Sequence, residues 1–146
     1  MLIRNIRHTG IVVDDLIKSL DFYTKKLGFE VSNRMVESGP FINKILGFKD
    51  IRVTTVKMIL KDGQMVELLD FTSHKKENLK KYINNIGPTH LAFTVYDLDA
   101  IYLDFKNDGI KFISSPEISP DGYAKVAFCQ APEGTYIELV QLLKEK

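Results

Sequence analysis

Residues 8–31, HTGIVVDDLIKSLDFYTKKLGFEV, and residues 90–113, HLAFTVYDLDAIYLDFKNDGIKFI, are two versions of one sentence. His8 matches His90, Val13 matches Val95, Asp15 matches Asp97 and Leu16 matches Leu98; Gly28 matches Gly109 after a one-residue slip. Each copy later returns to a short apolar run with a glutamate inside it: DGQMVELLD at 62–70, with Glu67, and EGTYIELVQ at 133–141, with Glu138. Gly63 and Gly134 precede those glutamates by the same interval. Internal self-similarity decides architecture before any residue-level argument. A unit this long, present twice, predicts a duplicated module within one domain rather than a solenoid.

Composition sets the outer bounds. A chain of 146 residues that is 45% hydrophobic and 27% charged has the make-up of a globular domain with a real core. Lys and Arg number 20 against 19 Asp and Glu, a formal net charge of +1, so no overall field draws it to nucleic acid or membrane. The apolar runs fall short of a membrane span, and MLIRNIRHTG lacks the apolar stretch of a signal peptide. With a single cysteine, Cys129, there is no internal disulfide. The expected compartment is the cytoplasm.

Each half reads as strand, helix, strands. Residues 4–13 are expected as the first strand. Asp14 or Asp15 then caps a helix whose apolar face is Leu16, Leu20, Tyr23 and Leu27, ended by Gly28. Residues 29–35 read as a strand. Gly39-Pro40 opens a short apolar helix carrying Phe41, Ile42, Ile45 and Leu46, an insertion absent from the second copy. Residues 51–60 and 64–71 form a hairpin about Asp62-Gly63. In the second half, strands are expected over 90–95, near 110–113, over 123–130 and over 136–142, with a helix over 98–108. The loop 114–122, rich in Ser and Pro, is expected to be irregular. Residues 73–87 are polar, but Leu79, Tyr82, Ile83 and Ile86 give them a helical stripe, so a connecting helix is expected. The division is one domain over 1–146: a first module over 1–72, the connector over 73–87 and a second module over 88–146.

The chemistry rests on four residues. In a strand, side chains alternate between faces; Glu67 and Glu138 both sit in runs apolar on either side, which predicts burial on both. A buried carboxylate is costly unless paired or metal-bound, and nothing in its own strand pairs with it. His8, Glu67, His90 and Glu138 at matched places in two copies are what a divalent-metal site on a pseudo-twofold axis requires.

These stretches resemble the vicinal-oxygen-chelate superfamily, which includes glyoxalase I, methylmalonyl-CoA epimerase, bleomycin- and fosfomycin-resistance proteins and extradiol dioxygenases. The carriers are H-x-x-I-x-V-x-D-L at 8–16 with FYTKKLGFEV after it, HLAFTVYDLDA at 90–100 and APEGTYIELVQ at 131–141; Ala131 and Glu133 depart from the family pattern in the turn. The resemblance implies an α+β fold of two βαβββ modules whose curved, open sheets form a cleft around the metal. It implies His8, Glu67, His90 and Glu138 as metal ligands, with Zn, Ni, Co, Mn or Fe suited to such a set. It implies a glyoxalase I-like lyase or isomerase. Such an enzyme abstracts a proton beside a metal-coordinated carbonyl, with Glu138 the first choice as base and Glu67 the second, and the resulting enolate is stabilised. The substrate would carry vicinal oxygens, and the assembly would be a homodimer. Two other readings stay open: a non-catalytic small-molecule or antibiotic binder, and an extradiol-type dioxygenase, which the filled Glu67 position disfavours. Arg34, Arg52, Lys57 and Lys125 lie on or near strands flanking the expected cleft, facing either an anionic substrate or solvent. His74, Cys129, Tyr23, Tyr82 and Tyr102 are read as surface or packing residues.

Overall fold

A computed structural model describes residues 1–144. The chain divides between Asn78 and Leu79 into two compact units. Each holds a four-stranded mixed sheet, and the whole is α+β with three α-helices among the described residues.

The first unit runs β1 (Thr9–Val12), α1 (Leu16–Asp21), β2 (Glu30–Ser38), α2 (Pro40–Leu46), β3 (Arg52–Ile59) and β4 (Met65–Phe71). Its sheet has the order β1-β4-β3-β2, with β1 parallel to β4 and the other neighbours antiparallel. Asp15 is the residue that caps α1, its side chain accepting from Lys18 N–H at 3.1 Å. The helix widens into a π-helical stretch over Phe22–Lys26 before Gly28 turns the chain at φ 79°. Alternation is clear in β4, while Val53–Val56 of β3 are buried on both faces and β2 is largely exposed. Val56, Met58, Val66 and Leu68 point to the face that α1 covers and are buried, together with Leu16, Ser19, Phe22 and Tyr23. Each such apolar side chain contributes about 1.5–3 kcal/mol to holding helix on sheet.

The second unit runs β5 (His90–Thr94), α3 (Leu98–Asn107), β6 (Glu117–Ile118), β7 (Ala124–Gln130) and β8 (Tyr136–Leu142), in the sheet order β5-β8-β7-β6. Asp97 caps α3 as Asp15 caps α1, accepting from Ala100 N–H at 3.0 Å. Leu98 and Phe105 of α3 are buried, as are Ala127, Cys129, Ile137 and Leu139 of β7 and β8.

Four expectations need correcting. Residues 73–87 form no helix: Leu79, Tyr82, Ile83 and Ile86 are exposed, so the stripe has nothing to bury against, and Gly87-Pro88 closes the segment. Tyr82 is accordingly not a packing residue. The first strand begins at Thr9 rather than residue 4, because Met1–Ile6 finds no neighbouring strand to pair with. Residues 110–113 contribute only a bridge from Phe112 to Cys129, Phe112 being held instead edge-on against Tyr102 at 4.8 Å. The paired strand lies in the supposedly irregular loop, at Glu117–Ile118.

Candidate metal centre

The two units place their candidate ligands in the same register. In the parallel pair β1–β4, Gly10 lies opposite Glu67; in β5–β8, Ala92 lies opposite Glu138. His8 and His90 each precede that opposing residue by two positions, hence share its face. Strand alternation thus delivers each imidazole to its own glutamate. His8 Nε2 lies 3.8 Å from Glu67 Oε1, and His90 Nε2 lies 3.4 Å from Glu138 Oε2.

The glutamates are not buried on both sides. Their strands seal one face, through Val66 and Leu68 in β4 and Ile137 and Leu139 in β8. The other face is partly open: side-chain exposure is 13% for Glu67 and 24% for Glu138, against 28% for His8 and 41% for His90. Each carboxylate does have partners, supplied by neighbouring strands rather than its own.

The donor set fits a divalent cation. Imidazole nitrogen and carboxylate oxygen each bind such an ion at about 2.0–2.2 Å, which leaves the two donors about 3.0–3.4 Å apart across one coordination angle. The His90–Glu138 pair has that spacing, and the His8–Glu67 pair is a few tenths of an ångström wider. In the second unit Thr89 Oγ1 sits 3.0 Å from His90 Nδ1. A hydrogen bond there from Nδ1–H leaves the Nε2 lone pair free towards Glu138, the tautomer a ligand needs. Among the described residues no three His, Cys, Asp or Glu side chains gather in one group. The structure brings His8 to Glu67 and His90 to Glu138, two pairs of two.

The pairs differ in what lies across from the glutamate. In the first unit Lys57 of β3 is the residue directly opposite Glu67, with its Nζ 3.9 Å from Oε2. The two carboxylate oxygens are thus divided, one towards His8 and one towards Lys57. In the second unit the opposing residue is Phe128, whose ring packs edge-on against His90 at 5.5 Å between centroids. The sequence signal for both was the hairpin: Lys57 and Glu67 are equidistant from Asp62, and Phe128 and Glu138 from Glu133. Of Arg34, Arg52, Lys57 and Lys125, Lys57 is the one on the glutamate's face. Arg34 pairs with Val56 and Arg52 with Ser38, both on the alternate face. Lys125 alternates with Phe128 in β7 and is bonded to Asp99 of α3 at 2.6 Å.

The insertion also bears on this face. Ile42 of α2 packs with Ile51 and Val53, and against Leu69 and Phe71, which share the side of β4 that carries Glu67. His74, by contrast, lies at the surface, its ring 5.2 Å from that of Phe48. Cys129 is fully buried and free, and burial pushes its thiol up to about 12. It offers no nucleophile.

Comparison with known proteins identifies the family. The family model described as the Glyoxalase/Bleomycin resistance protein/Dioxygenase superfamily matches residues 5–139. The chain belongs to this superfamily. It is 30% identical over 149 residues to the lactoylglutathione lyase of Schizosaccharomyces pombe, covering 97% of this chain but 48% of that protein, about half its length. It is 25% identical over 146 residues to a 2-epi-5-epi-valiolone epimerase of an Actinomyces species, covering 94% of this chain and 79% of that one. A glyoxalase family protein from Bacillus cereus superposes with a TM-score of 0.87 at 20% identity, covering 97% and 96% of the two chains, a likeness of fold. No helix among the described residues is long and apolar enough to cross a membrane.

Proposed function

We propose that this superfamily member is a divalent-metal-dependent lyase or isomerase of the glyoxalase I type, acting on a small molecule with vicinal oxygens. The observation that carries the proposal is the repeated register: two units each set a histidine and a glutamate side by side on the same face of equivalent strands. One pair is too few for a stable site. The proposed ligands, His8 with Glu67 and His90 with Glu138, are of the donor type that Zn, Ni, Co, Mn or Fe accepts. A homodimer is the proposed assembly, and a cytoplasmic setting accords with it.

When bound, such an ion acts as a Lewis acid that makes a C–H beside a chelated carbonyl more acidic. The residues of the chain do the rest. His8 and His90 hold donors in place as neutral imidazoles. Glu138 is assigned as the base that takes the proton and returns it to the neighbouring carbon. The residue directly across from it is Phe128 rather than a cation, and its Oε2 stands 3.4 Å from His90 Nε2. Glu67, with Lys57 beside it, is assigned chiefly to holding the ion. Similarity to both a lactoylglutathione lyase and an epimerase supports a shared first step, proton removal beside a carbonyl.

Metal-loaded protein should therefore exchange the α-proton of a vicinal-oxygen substrate with solvent deuterium, screened over thiohemiacetals, acyl thioesters and 2-keto sugars. Glu138→Gln should slow label incorporation by about 10²–10⁴-fold. Exchange undiminished in Glu138→Gln would contradict the assignment of the base, and oxygen uptake with catechols in place of exchange would contradict the reaction class.

A further inference from the structure

We infer that Lys57 anchors an anionic group of the substrate, so that the natural ligand carries a carboxylate or phosphate in addition to its vicinal oxygens. The inference rests on the metal-dependent reading above and sharpens its substrate class. Its starting point is an asymmetry in an otherwise matched pair of half-sites. The position directly across from the glutamate is a lysine in one unit and a phenylalanine in the other, at identical hairpin register. Phe128 needs no ligand to explain it: it packs on His90 and covers the sheet. Lys57 is different. Among the four strand cations near the site it alone lies on the ligand face, it is 31% exposed, and its Nζ stands 3.9 Å from Glu67 Oε2 at the outer limit of an ion pair.

Charge balance then indicates what completes the group. Two neutral imidazoles, two carboxylates and a divalent ion sum to zero, and Lys57 leaves the site with one positive charge in excess. A cation shared with His8 draws on Glu67 Oε1 and leaves Lys57 only its 3.9 Å contact to Oε2, at the outer limit of an ion pair. An ammonium on a half-buried sheet face is only partly compensated by a partner at that distance. A monoanionic substrate group within reach of Nζ restores neutrality and gains a charge-assisted hydrogen bond. The neighbouring positions leave room for it. Asn33 lies across from Lys57 on β2, a polar side chain, and not a carboxylate, at the place where the anion would lie. Of the acidic residues of β2 on this face, Glu30 lies opposite Ile59, one step from Lys57, and is exposed, while Glu37 is two steps away and accepts from Thr55 Oγ1 at 3.3 Å.

The test uses small hydroxamates, which chelate through adjacent oxygens, with the nickel- or zinc-loaded full chain and isothermal calorimetry. The probes share one chain length and differ at the far end: the monohydroxamate of succinic acid, its phosphonate counterpart and its uncharged primary amide. Wild type should bind one of the anionic probes roughly tenfold or more tighter than the amide, the scale of a charge-assisted bond. Which anion wins distinguishes carboxylate from phosphate. Lys57→Met should abolish that preference while still binding the amide, and Lys57→Arg should restore most of it. A merely structural lysine would change all three affinities together and leave their ratio alone. Equal affinities in wild type, or a preference that survives in Lys57→Met, would overturn the inference while the metal reading stands. If no probe binds the wild type and no metal is retained, the functional reading fails and takes this inference with it.

Discussion

Glu67 and Glu138 each occupy a strand whose opposite face is closed by residues of the core, yet both carboxylates keep partial access to solvent. That placement suits a ligand or a base: the backbone is fixed by the sheet and the side chain remains reachable. Cys129 shows the contrary case. It faces the sealed side of β7, and its thiol, pushed up to about 12, is essentially all protonated at neutral pH. Because this thiol ionises in the unfolded chain above about 8.5 but stays protonated in the fold, it lowers stability as pH rises beyond that value. At pH 8 iodoacetamide should leave Cys129 unmodified in the native protein and alkylate it once the chain is unfolded by urea. Rapid native labelling would show that β7 opens readily. The matched places of His8 with Glu67 and of His90 with Glu138, and the packing role of Cys129, were legible in the sequence, because identity and repeat position suffice for that. It did not single out Lys57 from Arg34, Arg52 and Lys125. That choice depends on strand parity and cross-strand register, and only Lys57 shares the glutamate's face.

At the scale of elements, the helices with caps and periodic faces were legible: Asp15 before α1, Asp97 before α3 and Gly39-Pro40 before α2. The hairpin of β3 and β4 was legible from Asp62-Gly63. What was not legible depended on finding a partner. The stripe Leu79, Tyr82, Ile83 and Ile86 has helical spacing, but an apolar stripe stabilises a helix only when it is buried, and these residues are exposed. Likewise 110–113 has strand-like residues, yet Phe112 is engaged by Tyr102 and Phe105 of α3, which leaves pairing to Glu117–Ile118. The insertion α2 is secured by Ile42 against Ile51, Val53, Leu69 and Phe71. Ile42→Ala should therefore lower stability by about 2–4 kcal/mol in urea unfolding. Because that cluster lies on the Glu67 side of the sheet, the variant should also weaken substrate binding more than metal retention. A loss below about 0.5 kcal/mol would mean that α2 is not packed as described.

For the whole molecule, duplication is the organising fact. The two units share strand order, helix cap and histidine-to-glutamate register, and each supplies one histidine–glutamate pair. If the proposed homodimer builds its sites from both subunits, an inactive His8→Ala chain mixed with an inactive Glu138→Ala chain should recover part of the activity. No recovery, despite demonstrated subunit exchange, would place each site within one chain. The repeat was readable from His8 and His90 onwards, since it is written in the residues themselves.

The most direct measurement is the stoichiometry of divalent metal binding, followed by calorimetry and elemental analysis in wild type, His8→Ala and His90→Ala. A single coordination sphere fed by both units predicts one tightly held ion per chain, lost in either variant alike. Two weak, independent ions per chain, with each variant losing only its own, would contradict it.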